Sequence, residues 1–268
     1  MIRGPCLILL VAVTWGCDPG PQTLRLAVTT STQDSGLVDL LVPMFERARG
    51  GRVDVVAVGT GKALRLGMNG DVDVVLVHAR EAEDAFMAAG HGIRREDVMY
   101  NMFQIVGPAS DPAEVHGGSA VTALREIALG RHGCVSRGDD SGTHKREQFL
   151  WQRAGIEPQW PGYVQTGQGM GSTLIIANQM EAYTLTDRGT FLAFLDKVEL
   201  VPHISIGEDL QNPYGVMIVN PDKNKRIAHG LADRFVDFLI SREAQIAIHD
   251  FRLNGEPLFY PLHHPESD

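Results

Sequence analysis

The sequence predicts an α/β protein of two lobes with a ligand cleft between them. Three observations carry that expectation. Short apolar strands alternate with helical spacing of apolar residues along the body of the chain. Polar Thr/Ser/Gly loops recur where a strand hands over to a helix. The composition also shifts twice, at 107–118 and at 211–215, as it would if the chain left one lobe, built a second and came back.

The elements follow in order. Residues 1–20 are read as an export signal, because Arg3 precedes an apolar run over 6–15 that is too short to span a bilayer. That run ends at Gly16-Cys17, so Cys17 is a candidate lipid-attachment point; an ordinary cleaved signal is the alternative. Strands are expected at 24–28, 53–58 and 72–77, the last nearly all apolar, as in a sheet covered on both faces. Helices are expected at 37–48, with Pro43 inside, and at 62–68 and 81–89. A strand at 101–106 leads to the first composition shift. The second lobe repeats the grammar: helix 121–129, strand 134–136, helix 144–154, helix 174–180, strand 182–186. After 211–215, a strand at 216–219 and a helix at 226–240 return to the first lobe. Lobe one is therefore 21–107 plus 214–268, and lobe two is 108–213.

Composition narrows the function. The 268 residues are 44% hydrophobic, enough to build a core, so disorder is not the dominant state. With 24 Lys+Arg against 33 Asp+Glu and no basic block, the chain is not a general nucleic-acid binder. Cys6 and Cys17 fall in the signal, leaving Cys134 alone in the body, where it cannot form an internal disulfide and reads as a buried, inert thiol. A nucleotide-phosphate loop fails at Lys62, because Ala63 stands where Ser or Thr is required; Gly167-Gln168-Gly169-Met170-Gly171 has the wrong spacing for a dinucleotide fingerprint; zinc motifs are absent from the sequence.

What remains is anion chemistry without much formal charge. Each loop-to-helix junction exposes unpaired N–H groups and the positive end of a helix dipole. Thr30, Ser31, Thr60, Ser141 and Thr143 add hydroxyl donors, while Gly59, Gly61, Gly142 and Gly169 permit close backbone approach. Arg137 could grip an oxoanion through two parallel hydrogen bonds, or pair with Asp139 or Asp140. A serine-hydrolase alternative would cast Ser141 as nucleophile and His144 as base, although the segment is not a G-x-S-x-G elbow.

The segments TTSTQDSG (29–36), VDVVAVGTGKAL (53–64), GDVDVVLVHAR (70–80), SRGDDSGTHK (136–145), TGQGMG (166–171), YTLTDRGT (183–190) and NGEPLFYP (254–261) together resemble the tungstate-binding proteins of bacterial ABC importers. The resemblance implies a periplasmic-binding-protein-like fold of type II, each lobe a mixed sheet flanked by helices. It implies a permease and an ATPase as partners, a periplasmic or cell-surface location, no cofactor, no enzymatic activity, and metal only as the oxoanion itself; a monomer is expected. It places Arg137, Ser141, Gly142 and Thr143 at the anion from lobe two, with Gly169 as a wall. Lobe one would supply Thr30, Ser31 and Thr60, with Thr29 and His78 as further candidates. The family's first motif has a Thr where this chain has Val28, a hydroxyl lost at that point. The Arg137 loop is also similar to that of phosphate-binding proteins, which carry an Asp proton acceptor where His78 stands. A site without that acceptor favours unprotonated dianions such as tungstate, molybdate and sulfate. Molybdate-, sulfate- or phosphate-binding proteins of the same fold are the near alternatives.

Overall fold

The computed structural model describes residues 22–263; the expectations at 1–20, including lipidation of Cys17, lie outside them. An eight-stranded sheet runs through the molecule and forms part of two packed bodies. In the first, β1 (Thr23–Thr29) lies parallel to β2 (Arg52–Val58) and β3 (Val74–Val77). On the far side of β3, β9 (Gln211–Val219) runs antiparallel to β3 and to β4 (Gly92–Gly107), and β12 (Tyr260–Pro261) closes the edge. Alternate side chains of these strands point to opposite faces. Leu24, Leu26, Val28, Leu76 and Ile218 pack on α2 (Leu37–Arg49), α9 (His229–Leu239) and α10 (Arg242–Asp250). Ala27, Val75, Val77 and Met217 pack on α3 (Thr60–Asn69) and α4 (Arg80–Ala88).

The second body uses the far end of β4, where Phe103 to Gly107 pair with β7 (Thr184–Asp187) and β8 (Val201–Ile204). Beside them β5 (Cys134–Ser136) runs parallel to β6 (Tyr163–Gln165). Here too both faces are covered: Phe103 and Ile105 meet α5 (Ala120–Leu129) and α6 (Gly142–Ala154), while Val106 and Val135 meet α7 (Met170–Gln179) and α8 (Arg188–Ala193). The antiparallel ribbon of β4 and β9 joins the bodies.

Several elements depart from the sequence reading. β4 is 16 residues long where a strand over 101–106 was expected. Its first half carries Arg94, Arg95, Glu96 and Asp97, whose charges hide the strand pattern; Arg94 pairs with Glu96, and Arg95 with Glu83 and Asp97. Residues 211–215, turn-like by composition, are instead the start of β9. Gly215 is required there because an added Cβ would lie 2.2 Å from Glu83 Oε2. β3 begins at Val74 rather than 72, and α9 at His229 rather than 226. The polar run 29–36 holds a short helix, α1 (Thr30–Asp34), capped by the Thr29 side chain. α7 starts at Met170, four residues early, with Gly169 as its N-cap. The paired stretches at 163–165 and 201–204 and the helix at 242–250 were not anticipated.

Candidate functional site

A cavity of about 980 Å³ opens between the two bodies. Its walls include every residue singled out from the sequence: Thr29, Thr30, Ser31, Thr60 and His78 from the first body, and Arg137, Ser141, Gly142, Thr143 and Gly169 from the second. The topology explains the convergence. Thr29 ends β1, Gly59 follows β2, His78 follows β3, and Arg137 follows β5, so each sits at the carboxyl end of a strand. Three helices of ten or more residues, α3, α6 and α7, present their first turns to the cavity through Gly59–Gly61, Ser141–Thr143 and Gly169–Gly171. The N–H groups of a first helical turn have no partner inside the helix and carry positive potential. Space is left for a ligand at these turns: a Cβ on Gly59 or Gly169 would meet nothing within 4 Å.

Arg137 is held on one side. One terminal nitrogen is paired with Asp139, while its Nε is buried and hydrogen-bonded to nothing among the described residues. The two readings of Arg137 are therefore compatible: the carboxylate orients the guanidinium and leaves donor capacity over. Gly138 makes the bend after it, with φ +61° and Gln165 packed 2.8 Å from where a Cβ would stand. Burial works against ionisation of Asp139, but hydrogen bonds from Ser141 and Arg137 outweigh it and hold its carboxyl below the usual range. The cavity wall carries Lys62, Arg65, Arg137 and Lys145 against Asp34, Asp140 and Asp187, four cations to three carboxylates. Asp187 is occupied as the cap of α8, accepting from Thr190 N at 2.8 Å and from Thr190 Oγ1 at 2.7 Å.

His78 is half-buried against the ring of Tyr214, 4.7 Å between centroids. Its Nδ1 lies 3.2 Å from Asn212 Oδ1 and its Nε2 3.3 Å from Ser31 Oγ. Burial lowers the imidazole pKa, and the Asp187 charge and the Asn212 hydrogen bond only partly oppose it, so the ring is neutral near pH 7. Asn212 and Tyr214, read from the sequence only as part of a composition shift, and Asn101, read only as the start of a strand, support it. They lie on β9 and β4, and nothing in their local pattern marks them.

Two further questions are answered by position. Val28 is fully buried in the core of the first body, so the hydroxyl missing from that point is not missing from the cavity. Ser141 and His144 do not form a nucleophile–base pair. His144 donates its backbone N–H to Ser141 Oγ, an N-cap, and its Nδ1 accepts from Asp140 N at 3.0 Å. Cys134 is buried, and burial raises its thiol pKa, as an inert thiol requires.

The chain matches the model of the PBP superfamily domain over residues 18–243. The tungstate-binding protein TupA of Peptoclostridium acidaminophilum is 47% identical over 246 residues, which is 89% of this chain and 85% of that protein. The solved tungstate-binding protein TupA of Desulfovibrio alaskensis G20 superposes with a TM-score of 0.86 at 44% identity, covering 90% of this chain and 98% of that one. The chain belongs to the PBP superfamily and to the family of these relatives. The crystal structure described as the tungstate ABC transporter of Geobacter sulfurreducens is 49% identical to this chain, with a TM-score of 0.77 over 85% of this chain and 98% of its own. The mixed sheet flanked by helices is the fold the resemblance implied. The chain places its candidate donors at the meeting of its two bodies.

Proposed function

We propose that this chain is the solute-binding component of an ABC importer and captures tungstate in the cavity between its two bodies. Thr30, Ser31 and Thr60 contact the anion from the first lobe; Arg137, Ser141, Gly142 and Thr143 contact it from the second, with Gly169 as a wall and Thr29 and His78 behind Ser31. The lobes are 21–107 plus 214–268 and 108–213, joined by β4 and β9. The single observation that carries this reading is the convergence of three helix N-termini and the Arg137 side chain on one cavity, in a chain 44–49% identical to tungstate binders. Such donors solvate an oxoanion without a full neutralising charge. Of the carboxylates on the cavity wall, Asp187 has both oxygens accepting from Thr190, so it does not call for a proton on the ligand. Unprotonated dianions suit that wall better than phosphate, which keeps a proton near pH 7.

Only a closed arrangement satisfies donors from both lobes at once, so binding stabilises closure, and a membrane permease with its ATPase reads the closed form. The protein works outside the cytoplasm as a monomer, anchored through Cys17 if the leader is a lipoprotein signal. Competitive calorimetry on the mature protein with tungstate, molybdate, sulfate and phosphate tests the reading. Tungstate should displace sulfate and phosphate. Tighter binding of phosphate, or no heat with any of the four, would refute it.

A further inference from the structure

Behind Ser31 a chain of side-chain hydrogen bonds runs from the cavity wall into the ribbon that joins the two bodies. Ser31 Oγ is 3.3 Å from His78 Nε2, and His78 Nδ1 is 3.2 Å from Asn212 Oδ1. Asn212 Nδ2 donates to Asn101 Oδ1 at 2.8 Å, and Asn101 Nδ2 donates to the Tyr214 hydroxyl at 3.1 Å. On the cavity side, Ser31 Oγ is 3.1 Å from Thr29 Oγ1, which is 2.6 Å from Thr32 Oγ1.

The two asparagines give this circuit a direction. An amide oxygen only accepts, so the hydrogen between Asn212 Oδ1 and His78 sits on Nδ1. A neutral imidazole with its hydrogen on Nδ1 has a bare Nε2, which only accepts. Ser31 must then spend its one hydroxyl hydrogen on His78, and it presents lone pairs to the cavity. That polarity is wrong for an oxoanion, which needs a donor. The opposite polarity satisfies every group equally well. With the hydrogen on Nε2, His78 donates to Ser31, Asn212 turns its amide over to donate to Nδ1, Asn101 turns over to donate to Asn212, and Tyr214 donates to Asn101.

We infer that oxoanion binding reverses this circuit, switching His78 from its Nδ1–H to its Nε2–H tautomer so that the Ser31 hydroxyl is freed to donate to the anion. This rests on the functional reading above and adds His78, Asn212 and Asn101 to it as positioning residues. The proton count does not change: one hydrogen leaves Nδ1 for solvent and one arrives at Nε2. The amides turn about their own side-chain bonds. Asn212 and Asn101 are buried and bonded to each other, so turning one amide leaves the other mismatched and the two move as a unit.

The test is histidine tautomer assignment by long-range proton–nitrogen NMR on the full mature protein, with the His78 signal identified by its loss in His78→Gln. The Nδ1–H form is expected without ligand, and the Nε2–H form at saturating sodium tungstate. Calorimetry on the same sample keeps the two claims apart. Tungstate heat with an unchanged tautomer overturns the switch and leaves the functional reading intact. No heat with tungstate, molybdate, sulfate or phosphate removes the functional reading and the switch with it. A second arm reads the tautomer in Asn101→Asp, which accepts only and pins Asn212 in its present orientation: His78 should stay at Nδ1–H at saturating tungstate, and an Nε2–H signal in that variant would overturn the proposal.

Discussion

Removing the Arg137 guanidinium is the most direct perturbation of the anion site. Arg137→Ala deletes the one cation after β5 whose geometry is fixed by a carboxylate and whose Nε has no other use among the described residues. A hydrogen bond to a charged group contributes roughly 1.5–3 kcal/mol. At about 1.4 kcal/mol per tenfold in Kd, loss of a single such bond weakens tungstate roughly 10- to 150-fold. The neighbouring carboxylate adds to this. Asp139 stays ionised through its bond from the Ser141 backbone, and without Arg137 its charge repels the dianion. The double variant Arg137→Ala/Asp139→Asn should therefore bind more tightly than Arg137→Ala alone, while remaining weaker than wild type. Calorimetric Kd values for the three proteins, each checked for an unchanged melting profile, measure both terms. An Arg137→Ala protein that folds normally and binds tungstate within twofold of wild type would take Arg137 out of the site. A double variant no tighter than the single would refute the account of Asp139.

Three further outcomes are expected. Tungstate at 100-fold over its Kd should stabilise the fold by roughly 2.7 kcal/mol through mass action, a rise in Tm of roughly 5–10 °C; no shift in a thermal melt at saturation would count against the cavity as its site. His78→Asp places an acceptor-only carboxylate against Ser31 and Asn212, so it should lower the tungstate-to-phosphate preference, and an unaltered ratio in competition calorimetry would refute the proton-acceptor argument. Because burial lowers the His78 pKa, the unfolded chain takes up a proton that the folded one resists. The stability this imidazole supports is complete above about pH 6.5 and falls as pH drops below it. Urea midpoints of His78→Gln should decline less steeply than wild type between pH 7 and 5, and equal slopes would show that His78 does not titrate with folding.

The candidate donors on the cavity wall were legible because each lies at a strand-to-helix junction. Thr30, Thr60, Ser141 and Gly169 stand where a strand ends and a helix begins, and the start of a helix is a local property written in caps and glycines. The layers behind it were not legible. β4 hides under Arg94, Arg95, Glu96 and Asp97, whose charges are tolerated in a strand only because Glu83 and Asp237 reach them from other elements. Asn212-Pro213-Tyr214-Gly215 has the composition of a turn, yet it is strand, because Asp97 to Asn101 of β4 supply its partners from more than a hundred residues away. His78 could be named as a candidate, but its tautomer is set by an asparagine 134 positions distant.

By itself the sequence determined the alternation of strands and helices, the two-sided cores and the residue types offered at each loop, because apolar periodicity and capping act over a few neighbouring positions. Tertiary structure alone decided that α3, α6 and α7 aim their first turns into one cavity, that Arg137 keeps a free donor beside its carboxylate, and that Ser31 is wired through His78 to the joining ribbon. Direction and pairing across the chain depend on which strands lie side by side. No local pattern records that, since the contacts that fix it are made between segments far apart in sequence.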